Sequence, residues 1–338
     1  MEVHITNTIQ DIDEKEWNAL INTDHIEQSH AWYRAVEDSR MRKMYYIFVQ
    51  RGARTVAAAC CYPFTQKLYV EVPFLDVTTP LGTSIAFFSK TPEDSRVLIQ
   101  GLEEIQKREK TKGFLILDLK KDELIFFRKH MKGVTPFPLC DNTYLNLNYT
   151  DFEDYLSSLD AKARRSIRIT LNRAQKRFAV TSLFTHNLSQ WASTARSLQE
   201  YTCKDHNNYQ TFLTEEFYSA VEAHLKEKAE LLFLFKDDIP LAFAVILNTS
   251  DFAHYKFPGI DPHYREYQAY FLLYYEGIRR AIEKKQKRIY FGSTTYEFKE
   301  KIGCQREKLF GLAKMTNPLL NQGLKSFIAL SRLFNKHF

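Results

Sequence analysis

Residues 113–120 read GFLILDLK, and this near-continuous apolar run constrains the fold more than any other stretch of the chain. A strand with one wet face alternates apolar and polar residues. A run of strand length with almost no polar position marks a strand covered on both faces. Amphipathic elements must therefore lie on each side of the sheet that contains it. Residues 91–111, TPEDSRVLIQGLEEIQKREKT, supply one: the apolar positions recur at helical spacing, and Thr91 followed by Asp94 has the spacing of an acidic capping box.

The element order then repeats. In the first half VHITNT alternates as a strand, and DEKEWNALI and SHAWYRAVEDS read as helices capped by Asp13 and Ser29. MYYIFVQR, RTVAAACCYPFT and KLYVEVPF read as strands before the loop DVTTPLGT, and CDNTYLNLNYT closes this half as another strand. In the second half DFEDYLSSLDAKARRSIRITLNRAQKRFA reads as a helix, a turn and a long basic helix, and VTSLFT as a strand. LSQWASTARSLQEYTCKD and TEEFYSAVEAHLKEK read as helices. AELLFLFKDD and IPLAFAVILNTS form a hairpin about Asp237 and Asp238, with Pro240 at the turn. The strand FAHYKFPGI, the amphipathic helix EYQAYFLLYYEGIRRAIEKKQ and the strand RIYFGS follow. Two α/β (α+β) domains are predicted, each a mixed, mainly antiparallel sheet flanked by helices. The expected boundaries are 1–150, 151–318, and 319–338 for a C-terminal amphipathic helix.

Composition narrows the function. With 338 residues, 44% of them apolar, each half can bury a core. The net charge of +6 permits an anionic partner without demanding one. Five cysteines with no CxxC spacing argue against a zinc site or a disulfide framework and point to a reducing, cytoplasmic setting. No metal is expected. The polar, acidic start MEVHITNTIQDIDEKEW does not read as a signal peptide, and no apolar run approaches the roughly 20 residues of a membrane span.

Three stretches carry a family resemblance: LSSLDAKARRSIRITLNRAQKR, YKFPGIDPHYREYQAYFLLYYEGIRRAIEKKQKRIYFG, and the ending YEFKEKIGC with Tyr296, Phe298, Lys299 and Gly303. Together they resemble the FemAB-like branch of the GNAT acyltransferase superfamily, the tandem-GNAT N-acyltransferases of Fem and CelD type. The resemblance covers roughly residues 140–315 and extends to the N-terminal half in element order only. It implies two tandem GNAT-like domains and transfer of an acyl or aminoacyl group from an activated ester or thioester to an amine. It also implies that Lys299 stabilises the charge developing on the reacting carbonyl. A fixed cation in a water-poor cleft does this better than bulk water, and losing such a donor costs about 10²–10³ in rate. Read without the resemblance, Lys299 is a solvated lysine on a last helical turn whose stem covers the core.

A standard CoA cradle is not written. GNAT enzymes hold pyrophosphate with a glycine-rich loop at a helix start. Here GIDPHYREYQAYFLL has no glycine after Gly259 until Gly277, and Tyr264, Arg265 and Gln268 line the approach instead. No tightly bound cofactor is expected. The donor would be aminoacyl-tRNA or an acyl carrier protein, with acyl-CoA as the conventional alternative. The acceptor would be a small amine or a cell-wall precursor.

The basic helix adds Lys162, Arg164, Arg165, Arg168, Arg173, Lys176 and Arg177. Arg165, Arg168, Asn172 and Lys176 share one face at regular helical spacing, a stripe that could track phosphates. A solvated helix face is the plainer reading. The resemblance implies anion contacts near this helix, which selects Arg165 and Arg168.

Further candidates have plain alternatives. Asp76, in VPFLDVTTPLG, could take the proton from an attacking amine or cap its own loop. His254 and Tyr255, in FAHYKFPG, could face an acyl pocket or lie in the core. Tyr296 and Phe298 could contact substrate. Cys203 and His206 have the weak spacing of a nucleophile pair without an orienting third residue. The tail PLLNQGLKSFIALSRLFNKHF places Leu320, Leu324, Phe327, Ile328 and Phe334 on one helical face, suited to docking on its own domain or to a membrane surface. A non-catalytic module that binds a glycan precursor or RNA is a second alternative for the whole chain.

Overall fold

The computed structural model describes residues 2–21, 25–67 and 71–334. Leu68–Val70 of the predicted strand KLYVEVPF, and Lys336 of the tail, lie outside the described residues, as does the side chain of Phe334.

The chain forms two compact units, Met1–Asp141 with Lys308–Phe338, and Asn142–Glu307. The first unit begins with β1 (Glu2–Thr6), α1 (Glu14–Asn18), α2 (His30–Asp38), β2 (Tyr45–Arg51), β3 (Arg54–Lys67), β4 (Glu71–Asp76) and β5 (Phe87–Phe88). It continues through α3 (Pro92–Arg108), β6 (Gly113–Leu119), α4 (Lys121–His130) and β7 (Thr135–Pro138). The second unit holds β8 (Asn142–Asn146), α5 (Phe152–Ser158), α6 (Ala161–Asn172), β9 (Val180–Thr185), α7 (Ala192–Asp205), α8 (Glu215–Leu225) and β10 (Ala229–Lys236). It closes with β11 (Ile239–Asn248), β12 (Phe252–Ile260), α9 (Ala269–Glu283), β13 (Arg288–Gly292), α10 (Tyr296–Lys301) and β14 (Gln305–Glu307). β15 (Phe310–Met315) and α11 (Pro318–Phe334) then return to the first unit.

The first sheet runs β1-β2-β3-β4-β6-β15-β7, with β5 alongside β3. Its pairs are antiparallel except β4 with β6, where Phe74 lies opposite Gly113 and Asp76 opposite Leu115. β6 is the GFLILDLK run, and it is covered on both faces as its composition demands. Phe114, Ile116 and Leu119 join the core under α3 and α4, while Leu115 joins Phe74 and Ala313 in a smaller cluster that Leu324 of α11 caps. The caps also form: Asp13 accepts from the amides of Lys15 and Glu16, Ser29 from Trp32, and Thr91 from Asp94.

The second sheet runs β14-β8-β13-β12-β11-β10-β9. It too has one parallel pair, β12 with β13, joined by α9. One core lies between the sheet and α5, α6 and α9. On the other face Trp191 packs against Phe233, and Phe233 stacks on Phe243. β12 passes so close to α7 that a Cβ on Gly259 would sit 2.5 Å from the Gln199 nitrogen, so only glycine fits there.

The structure departs from the sequence reading in four places. β8, read as the end of the first half, pairs with β13 and β14 of the second unit. β15 inserts between β6 and β7 of the first unit, so neither unit ends where a cut at 150 or 318 would put it. Pro240 lies inside β11 rather than at the turn, which Asp237 makes with φ 52°. α9 starts at Ala269, because Pro262–Tyr267, capped by Asp261, form a separate short 3₁₀ segment.

Candidate functional site

In the second unit the parallel strands β12 and β13 pair over their first residues: Phe252 with Arg288, Ala253 with Ile289, His254 with Tyr290. Beyond that point β12 follows β11 while β13 follows β8, so the two strands part at their C-terminal ends. In α/β sheets such a parting is where ligands bind, because strand-end backbone groups lose their ladder partners. Here one side chain meets them. The Lys299 ammonium donates to the carbonyls of Phe291 (2.8 Å), Gly292 (3.1 Å) and Ser293 (3.3 Å). Lys299 is 1% exposed. Burial pushes its pKa down from 10.5 to about 8, with the neighbouring Cys304 opposing. The group is therefore still mostly a cation at neutral pH. All three of its protons have acceptors within the protein.

Local sequence explains how Lys299 gets there. α10 ends in a glycine-dependent cap: the Cys304 amide donates to Lys299 O (2.9 Å) and the Gly303 amide to Glu300 O (3.0 Å), with Gly303 at φ 89°. This cap ends the helix two residues after Lys299 and leaves that lysine buried in its last turn. Upstream, Gly292, Thr294 and Thr295 all have positive φ (70°, 83° and 46°). For two β-branched threonines this is strained backbone, of the kind that recurs at ligand clamps.

An aromatic wedge fills the gap on the α9 side. Tyr255 lies 5.5 Å from Phe291 and stacks on Tyr274 at 5.0 Å, and Phe298 packs 5.1 Å from Tyr274. The Tyr255 hydroxyl is buried and has no hydrogen-bond partner among the described residues, and burial raises its pKa well above the usual tyrosine value. Tyr270 reaches from α9 to donate to the Thr295 hydroxyl at 2.8 Å. The strained turn is thus tied to α9 on one side and to Lys299 on the other.

Two residues before Tyr270, Gln268 takes φ 56° and opens α9 without capping it through its side chain. Gln268 also lines a groove of about 500 Å³ with Lys162, Arg165, Ser166, Thr170 and Arg173 of the basic helix. Asp160 caps α6 by accepting from the amides of Lys162 and Ala163. Lys162, Arg165 and Arg173 are exposed and, among the described residues, none has a carboxylate partner. Three unpaired cations facing one groove beside a helix start suit an anion.

Of the residues selected from sequence, Arg165 and Gln268 meet in this groove, while Lys299, Tyr255 and Phe298 meet at the strand parting. Arg168 does neither; its guanidinium pairs with Glu153 at 2.7 Å. The predicted stripe through Lys176 also breaks, because residues 173–177 form a π turn whose extra residue shifts the face. Tyr264 packs against the core beside Tyr267, and Arg265 is exposed. His254 is buried and stacked on Tyr290 at 4.9 Å, on the opposite side of the strand from Tyr255. Tyr296 lies under the Arg306 guanidinium at 4.1 Å. Cys203 is buried, and burial raises its thiol pKa, contrary to what a nucleophile needs.

Asp76 belongs to the first unit. It ends β4, where that unit's own parallel pair parts, and accepts from Thr78 Oγ1 at 2.5 Å. Burial pushes its pKa up to about 6, against the Thr78 and Tyr62 hydroxyls and Arg42. The sequence reading missed Arg173, Ser166 and Thr170 as groove residues and the Gly292–Thr295 turn. Two adjacent threonines after a strand-ending glycine were the visible signal for the turn.

No group of His, Cys, Asp or Glu among the described residues could hold a metal ion. No helix of the described residues is long and apolar enough to cross a membrane.

Residues 45–336 match the sequence profile of the FemAB-like family, described as peptidoglycan biosynthesis and recognition. No curated protein matches by sequence. Among solved structures, FemX has a TM-score of 0.63 at 15% identity, covering 96% of this chain and 100% of that one. A C-terminal domain from Agrobacterium fabrum, assigned to a lysylphosphatidylglycerol synthetase, has a TM-score of 0.62 at 13% identity, covering 96% and 97%. A tandem GNAT protein from the clavulanic acid biosynthesis pathway has 0.58 at 10% identity, covering 94% and 99%. At such identities the likeness shows the fold, which is that of tandem GNAT proteins.

Proposed function

Because this chain belongs to the FemAB-like family of peptidoglycan biosynthesis and recognition, we propose that it forms an amide by passing an acyl or aminoacyl group to an amine of a cell-wall precursor. The observation that carries this reading is the buried Lys299 cation at the parting of β12 and β13, next to a turn that Tyr270 ties to α9.

Attack of an amine on an ester or thioester places negative charge on the carbonyl oxygen. In a trans peptide the C=O and N–H point opposite ways. Carbonyls drawn inward to Lys299 therefore leave the amides of Ser293 and Thr294 facing outward, and neither donates to another described backbone group. These amides are the oxyanion donors in this reading. Lys299 holds them in place and adds its charge from behind the turn. Tyr255, Tyr274, Phe291 and Phe298 keep water from that side. The groove cations Lys162, Arg165 and Arg173 bind phosphate, and thereby position a phosphate-bearing substrate. The donor is an activated ester or thioester, as aminoacyl-tRNA, an acyl carrier or acyl-CoA.

The test is mass spectrometry of a nucleotide-linked cell-wall peptide incubated with the protein and each donor class in turn. The expected result is a mass gain on an amine with one donor. Arg165→Ala should raise KM for the phosphate-bearing substrate about tenfold with kcat held, while Lys299→Met should lower kcat. The full set of carbonyls already on Lys299 favours one other reading, a module that binds such precursors without chemistry. Tight binding with no mass gain for any donor class would establish that reading instead.

A further inference from the structure

The start of α11 carries a surface that the transfer reading does not use. Leu319 is 82% exposed and Leu320 47% exposed, side by side on its first turn. Further along, Leu324 turns inward and packs on the Phe74–Leu115–Ala313 cluster, so the helix is anchored while its start is bare. Two contacts fix that start against neighbouring loops, and a third ties it to the end of β15. Thr316 donates to Lys112 O (2.9 Å), Asn321 Nδ2 to Gly133 O (2.9 Å), and the Met315 amide to Asn321 Oδ1 (3.2 Å). These bonds join the start of α11 to the loops that carry the exposed Lys112 and Lys132, and Lys325 is exposed one turn beyond Asn321. None of these three lysines has an ion pair among the described residues, whereas Lys314 is neutralised by Glu103 at 3.1 Å. From Thr316 to Phe338 the sequence contains Lys325, Arg332 and Lys336 and no Asp or Glu.

Exposed apolar residues on a segment with no carboxylate, joined to loops that carry unpaired cations, match the chemistry of a bilayer surface bearing anionic lipid. A protein partner would need complementary carboxylates and a shaped apolar recess. A membrane needs only that the leucines enter the headgroup layer while the lysines meet the phosphates. We propose that the start of α11, with Lys112, Lys132 and Lys325, docks this protein reversibly on an anionic membrane surface. Two leucines and three cations are too few for permanent anchoring, so the docking is weak and salt-sensitive.

The experiment is sedimentation of the full chain with extruded vesicles of phosphatidylglycerol mixed with phosphatidylcholine, and with vesicles of phosphatidylcholine alone. Binding is expected on the mixed vesicles only and should disappear at high salt. Leu319→Asp combined with Leu320→Asp should abolish it, and Lys112→Glu combined with Lys132→Glu should weaken it at least tenfold. The lysine pair lies on exposed loops and controls for misfolding of the leucine variant. Absence of binding, equal binding to the neutral vesicles, or binding untouched by the lysine pair overturns the proposal. So does a concentration-dependent dimer, seen by light scattering and lost in the leucine variant, because the patch would then be covered by a second copy.

Discussion

Replacing Lys299 by methionine should change how stability depends on pH. Burial lowers the folded-state pKa from 10.5 to about 8. Below pH 8 folded and unfolded chains both carry the proton, and the folded chain bears the full cost of a buried ammonium. Between pH 8 and 10.5 the unfolded chain keeps a proton that the folded chain has released, so stability rises with pH. The whole window is worth about 3 kcal/mol, of which about 2 kcal/mol falls between roughly pH 7.5 and 10. Methionine preserves much of the side-chain shape and removes this dependence. At neutral pH its net effect is small by comparison. It relieves the ammonium's burial but removes its hydrogen bonds to the Phe291 and Ser293 carbonyls, at about 1–3 kcal/mol each, while Gly292 O keeps the Thr143 hydroxyl. These opposing effects nearly cancel, so the slope with pH is the decisive quantity. Urea unfolding of both proteins at the two pH values measures it. If wild type and variant gain or lose stability in parallel, Lys299 is not the buried, carbonyl-bound cation described.

Two further outcomes are expected. Glu230 is 0% exposed and bound by Lys284 (2.6 Å), Arg280 (3.1 Å) and Asn248 (3.1 Å), so Glu230→Ala should destabilise the second unit by about 3 kcal/mol, read as a lower unfolding midpoint. Burial raises the Asp76 pKa from 3.8 to about 6, so wild-type stability should fall by about 3 kcal/mol as pH rises through that window, and Asp76→Asn should flatten the fall in a pH series of denaturation curves.

Much of the fold was legible because it follows from local rules. GFLILDLK announces a doubly covered strand, and Asp13, Ser29 and Thr91 announce helix starts, each through a side chain that meets an amide two or three residues on. What stayed hidden is non-local. Nothing in LFGLAKM says that it will cross back to lie between β6 and β7, because strand pairing depends on partners almost 200 residues away. The candidate site divides the same way. Lys299 stands out only through the family resemblance, because its burial depends on the glycine cap at Gly303 and on carbonyls of the preceding turn. Arg173 does not, because the π turn that governs its facing is a departure from the regular period by which the sequence was read. Arg168 satisfied that period and is nonetheless spent on Glu153.

The return of β15 sets the order in which the protein can be completed on the ribosome. Until Met315 has emerged, β6 and β7 have no strand between them, and the first sheet presents two unpaired edges. The second unit is one continuous segment, Asn142–Glu307, and has every strand it needs before that moment. The half made first is therefore finished last. A truncated chain ending between Glu307 and the start of β15 would carry a whole second unit and an open, aggregation-prone first one.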